Sequence, residues 1–178
     1  MDDLYKIIVP EEKHLAEMYS WNAEEKNFIQ FTCRPLGMLK TYAEYRDMTL
    51  NSVKEWKDRL FVLVKKDEQD TPLGRIKLFD YNPRNHSSEF GYYIPEKSRK
   101  VGLGGIMINL FLTNSFNDKD INLNKLYATT ASNNHPSIKV LEKAGFKLEG
   151  RLKEHYWIND YKFDQLVYSM LRKEWCEK

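Results

Sequence analysis

Arg99-Lys100-Val101-Gly102-Leu103-Gly104 decides the fold of this chain, because of what stands on either side of it. Before it runs Ser87-Ser-Glu-Phe-Gly-Tyr-Tyr-Ile94, a strand closed by Pro95. After it comes Gly105-Ile-Met-Ile-Asn-Leu-Phe-Leu112, apolar on nearly every side and therefore a buried helix whose first turn begins in the glycines. The first N–H groups of such a helix have no partner within it and lie at the positive end of its dipole, so they face an anion. Glycines let a phosphate approach the backbone with no Cβ in the way, and Arg99 offers a fixed cation at the rim. The stretch points to a ligand carrying a diphosphate. Spacing excludes a P-loop, which needs Gly-Lys-Ser/Thr after four intervening residues, and the dinucleotide fingerprint, which needs a third glycine. A plain tight turn with a solvated Arg-Lys pair is the competing reading.

A second constellation lies downstream. Tyr127-Ala-Thr-Thr-Ala131 is a strand, Ser132-Asn-Asn-His-Pro-Ser137 a loop, and Ile138 to Ala144 a helix stopped by Gly145. Asn134 is a natural N-cap, Pro136 suits the first helical turn, and Gly145 suits the left-handed position past the helix end. This places the Ser137 hydroxyl beside the Asn134 amide at the start of a short helix.

Arg-x-x-Gly-x-Gly after a strand, followed by Asn-x-x-Ser opening a helix that ends Leu-Glu-Lys-Ala-Gly-Phe, resembles the GNAT superfamily of acetyl-CoA-dependent N-acetyltransferases. Within it the pattern is most similar to the branch of ribosomal-protein alanine N-acetyltransferases and their small-amine relatives. Glu89 to Ile94 resembles that branch's fourth strand, and Glu149 to Asp160 its closing hairpin. The likeness runs from Ile7 to Trp175 and departs at Asn159-Asp160, where relatives carry Asn-Gly, and at Ile8-Val9-Pro10. It implies that acetyl-CoA, as co-substrate, is held by Tyr92, Tyr93, Ile94, Arg99, Lys100, Val101, Gly102, Leu103, Gly104, Gly105, Asn134 and Ser137.

Composition agrees with one acetyltransferase domain over residues 1–178, since 178 residues at 42% hydrophobic can bury one good core. Lys+Arg of 28 against Asp+Glu of 26 gives a net charge of +2, too balanced for nucleic acid as the main partner. Cys33 and Cys176 stand far apart with no CxxC, as in a reducing compartment. With no cationic leader and no apolar run of membrane length, the expectation is a cytoplasmic protein with no membrane partner. A homodimer is compatible with this reading.

Along the chain, Tyr5 to Val9 reads as a strand, Glu11 to Trp21 and Thr49 to Leu60 as amphipathic helices, and Phe61 to Lys65 and Gly74 to Asp80 as strands. A last hairpin runs from Phe146 to Trp157 and from Lys162 to Leu171. Strands that cluster early and then alternate with helices give an α+β (mixed α/β) fold, a mixed sheet of about seven strands with helices on both faces. The resemblance adds that strands four and five splay apart to admit the pantetheine arm.

Acetyl transfer needs a neutral amine, a stabilised oxyanion and help for the departing thiolate. A backbone N–H near Tyr92 or Tyr93 can polarise the carbonyl. Ser137 is the candidate hydrogen bond to the sulfur, a role that the resemblance also implies, against a capping hydroxyl. Glu89 is the candidate base, acting through water, against an ordinary strand residue paired with a cation. Tyr92, Tyr93 and Tyr156 are further acid candidates for which packing is the default. His14, His86, His135 and His155 never fall at ligand spacing, so no metal is expected.

The acceptor stays open. Asn22 to Asp47 forms a long aromatic connection with Phe28, Phe31, Tyr42 and Tyr45, and Glu24, Glu25, Glu44 and Asp47 would suit a polyamine. The leading expectation is the N-terminal α-amine of a protein or peptide. A small amine, either a polyamine or an aminoglycoside-like antibiotic, is the alternative, and a non-catalytic acetyl-CoA-binding module the third.

Overall fold

The computed structural model describes residues 2–25, 40–54 and 59–177. Phe28 and Phe31, expected in an aromatic connection, and Cys33, expected to be reduced, lie outside the described residues. The chain divides into two compact units, one holding residues 2–25, 40–54, 59–79 and 91–111, the other 80–90 and 112–177.

In the first unit, strand β1 (Tyr5–Ile8) pairs antiparallel with β2 (Leu60–Lys65), and β2 with β3 (Gly74–Asn82). Side chains alternate across β2, and each face takes a helix. Val62 and Val64 pack with Leu15, Met18 and Trp21 of helix α1 (Glu12–Glu24), joined by Tyr45 and Leu50 of α2 (Tyr42–Lys54). Phe61, on the opposite face, meets Phe111 of α3 (Leu103–Asn117) edge to face at 6.1 Å. A buried histidine fixes the start of α1. The His14 Nδ1 accepts the Glu11 N–H at 2.9 Å, and Nε2 lies 2.9 Å from the Gln69 carbonyl, so the proton belongs on Nε2.

The structure corrects the helix expected from Thr49 to Leu60. That helix is α2, starting at Tyr42, and Leu60 already belongs to β2. Thr41 and Glu44 set its start as a capping box, the Glu44 N–H donating to the Thr41 hydroxyl at 3.3 Å and the Thr41 N–H to the Glu44 carboxylate at 2.8 Å. Tyr42 and Tyr45 are therefore helical, and both rings lie against Tyr19.

In the second unit, β5 (Lys125–Ala131) pairs antiparallel with β7 (Tyr161–Leu171), which pairs antiparallel with β6 (Lys147–Ile158). The β6–β7 turn is Asn159-Asp160, both at positive φ (49° and 63°), the two-residue hairpin conformation that suits right-twisted strands. Helix α4 (His135–Lys143) ends where Gly145, at φ 86°, turns the chain. The N–H of Gly145 reaches the Glu142 carbonyl and that of Phe146 the Leu141 carbonyl, a Schellman end. A short helix α5 (Arg172–Cys176), absent from the sequence reading, follows β7, and Trp175 stacks on Phe116.

Hydrogen bonding links the strands in the order β1-β2-β3-β4-β5-β7-β6, a seven-stranded mixed sheet in which β4 (Ser87–Tyr93) and β5 form the parallel pair. Their register runs Ser87 to Lys125, Ser88 to Leu126 and Glu89 to Tyr127 and goes no further, although both strands continue.

Candidate active site

The glycine-rich loop is built in the first unit. Lys100 and Gly102 both take positive φ (66° and 86°). The Gly102 carbonyl accepts the N–H groups of Gly105 at 3.1 Å and Ile106 at 3.3 Å, which makes Gly102 the residue from which α3 starts. It follows that the N–H groups of Leu103 and Gly104 begin the helix without an i−4 partner, while that of Gly105 is committed to the chain itself. The helix carries no acidic residue in its first turn, so its dipole is uncompensated there. A Cβ on Gly102 or Gly105 would meet nothing within 4 Å, so packing does not demand glycine at either position; at Gly102 the backbone conformation does. Lys100 and Val101 are exposed beside this start. The donors, the open approach and the dipole all suit a diphosphate.

Arg99, expected as a fixed cation at the rim, is held in place by two partners. Its Nε donates to the Ile94 carbonyl at 2.8 Å, and its Nη2 donates to Oε2 of Glu25. The same Oε2 accepts the Tyr93 hydroxyl at 2.9 Å. The Arg99 guanidinium carbon lies 5.6 Å from the centre of the Tyr93 ring, as does that of Arg75. Burial pushes the Tyr93 phenol up to about 12; the bond to Glu25 and its negative charge add to this, and the charges of Arg99 and Arg75 oppose it. Tyr93 therefore holds its proton against Glu25.

A cavity of about 340 Å³ in the same unit is lined by Glu24, Glu25, Tyr93, Pro95, Glu96 and Lys97. Of the carboxylates expected for a cationic acceptor, Glu24 and Glu25 line it, with Glu96 added by the structure. Glu44 is instead the α2 cap, and Asp47 bonds Arg46.

The second unit carries the other candidates. Glu89, half-buried on β4, accepts the Thr129 hydroxyl on Oε1 at 2.8 Å. Asn134 caps α4 through its side-chain Oδ1, which accepts the Ser137 N–H at 3.3 Å. The cap is thus supplied by Asn134 and uses the amide of Ser137 rather than its hydroxyl. Tyr156 is buried with Ala131 and Ile158, a packing role. Tyr92 and Ile94 are half-buried at the end of β4 and just beyond it. Among the described residues no three His, Cys, Asp or Glu side chains cluster as metal ligands, and no helix is long and apolar enough to cross a membrane.

The parallel strands β4 and β5 are joined through α3, the helix that starts in the glycines, and the family match gives the class, an acetyltransferase. The chain belongs to the GNAT acetyltransferase family, whose domain model matches residues 7–147 and whose members use acetyl-CoA. It is 28% identical over 102 residues to the Bacillus subtilis protein YdaF, named as a candidate ribosomal N-acetyltransferase. That match covers 57% of this chain and spans little more than half, 55%, of YdaF. It is 28% identical over 120 residues to the spermidine N(1)-acetyltransferase of Vibrio cholerae, covering 67% of each chain. The fold is similar to that of the crystal structure of spermidine N-acetyltransferase from Vibrio cholerae in complex with CoA and spermine, with a TM-score of 0.84 and 22% identity over 97% of this chain and 98% of that one.

Proposed function

We propose that this chain is a single-domain N-acetyltransferase that moves an acetyl group from acetyl-CoA to a small polyamine-like amine. The observation that carries the choice of acceptor is the cavity with Glu24 and Glu96 in its wall, since a polycation is recognised by convergent carboxylates; Glu25, which also lines it, is committed to Arg99 and Tyr93. The likeness to a spermidine acetyltransferase over two thirds of both chains supports the same choice. The protein α-amine, which leads in the sequence, becomes the second reading, favoured by the likeness to YdaF.

In this reading the N–H groups of Leu103 and Gly104 take the diphosphate, with Lys100 as the exposed cation, and Tyr92, Ile94 and Asn134 contact the pantetheine arm. A β4 N–H at Tyr92 or Tyr93 polarises the thioester carbonyl. The amine attacks that carbon, its proton leaves through water to Glu89, and the C–S bond breaks as the thiolate accepts a hydrogen bond from Ser137. Thr129 holds Glu89 in place.

An amine panel tests this: release of free CoA is followed with spermidine, spermine, an aminoglycoside and peptides with free α-amines. Turnover fastest with the polyamines is expected. A peptide as the best acceptor would transfer the assignment to the second reading, and silence across the panel with tight CoA binding would make the chain a binding module.

A further inference from the structure

We propose that Glu25 is a positioning residue for acetyl-CoA, acting through Arg99 on the loop that receives the diphosphate. The proposal rests on the assignment of that loop to the cofactor. Glu25 directly follows α1, and its side chain is only 1% exposed. Its Oε2 takes donors from two places, the Tyr93 hydroxyl at the end of β4 and the Arg99 guanidinium at the start of the loop. Arg99 then returns to β4 through Nε and the Ile94 carbonyl, closing the turn of Glu96–Ser98 between them. Only Lys100 and Val101 separate Arg99 from Gly102, where α3 begins. The direction in which Leu103 and Gly104 point their N–H groups thus depends on a backbone that the buried Glu25 carboxylate helps to hold through Arg99.

A buried ion pair is weak evidence for stability, because desolvation offsets most of its attraction, so its use here is better explained by the geometry that a planar guanidinium fork imposes. A second tie between α1 and this turn, Lys97 to Glu17, lies nearer the surface, where water and salt weaken it. The Glu25 tie, being buried, resists that screening.

Glu25→Gln keeps the shape and removes the charge. The expected result is a rise of roughly tenfold in both the KM for acetyl-CoA and the Kd for CoA, with kcat at saturation within about twofold of wild type. A purely structural role would lower the folded fraction, which scales kcat and leaves KM where it was. Should Glu25→Gln not fold, Arg99→Lys serves, since an ammonium keeps the charge but cannot serve Glu25 and Ile94 as a fork does; the same KM rise is expected. In a double-variant cycle with Arg99→Gln, the losses should fall well short of additive. Gly104→Asp is the control. If Gly104→Asp loses CoA binding while Glu25→Gln or Arg99→Lys binds like wild type, or if the cycle is additive, the positioning role is overturned and the loop assignment stands. If Gly104→Asp itself binds CoA like wild type, the loop assignment fails and this role with it.

Discussion

Thr129 donates its hydroxyl proton to Glu89 at 2.8 Å, so the carboxylate on β4 is held from β5 two residues past the last paired position, Glu89 with Tyr127. The Thr129 hydroxyl thus orients the Glu89 carboxylate from the neighbouring strand. If Glu89 takes the amine's proton, Glu89→Gln should lower kcat/KM by about 10²- to 10³-fold near neutral pH and recover in part at alkaline pH, where free amine is abundant. Thr129→Val, which loses only the orientation, should cost about tenfold or less. A Glu89→Gln pH–rate profile that overlays wild type would make this carboxylate structural.

The start of α4 separates a stability role from a chemical one. Asn134 supplies the cap, so Asn134→Ala should lower unfolding free energy by about 1 kcal/mol. Ser137→Ala keeps that backbone bond and should lower kcat by about 10- to 1000-fold with little change in Tm, because a hydrogen bond to sulfur matters most as the C–S bond breaks. Denaturant melts and saturating kinetics on the two variants check both halves; equal kcat for Ser137→Ala and wild type would end the sulfur role.

The adjacent glycines of the loop should behave oppositely. A methyl on Gly105 meets nothing within 4 Å and its N–H is already used by Gly102, so Gly105→Ala should stabilise the helix by about 0.5–1 kcal/mol and leave CoA affinity within about twofold. Gly104→Asp adds bulk and negative charge where a free N–H meets the diphosphate, and CoA binding should disappear from calorimetry while the fold persists.

Much of this was legible in local rules. Gly102, Asn134, Gly145 and Asn159-Asp160 each act within a few residues of themselves, and each takes the conformation that its residue type favours. Thr41-Tyr-Ala-Glu44 carries an equally local capping signal, but the aromatic residues around it suggested a binding loop and displaced the start of α2. What could not be read were bonds between distant positions. Glu25 stands 68 residues from Tyr93 and 74 from Arg99, and Glu89 stands 40 from Thr129, so nothing in the spacing announces them. Arg99 was legible as a cation near the loop, but not as one already neutralised.

Tyr93 offers a test of that buried arrangement through its titration. Its phenol faces the Glu25 carboxylate and the guanidinium groups of Arg99 and Arg75, and burial is the largest cause of its rise from 10.0 to about 12. A group whose folded value is raised contributes stability that is complete below its unfolded value and fades as pH climbs through the folded one. The stabilisation from Tyr93 should therefore be intact below pH 10 and decline between 10 and about 12. Among 11 tyrosines, Tyr93 should ionise late, so the absorbance titration of Tyr93→Phe should lack a component at the alkaline end and match wild type below it. Its stability should also fall less steeply over that window. If Tyr93→Phe instead removes a component near 10, the phenol is open to water, and the bond to Glu25 does not hold it in solution.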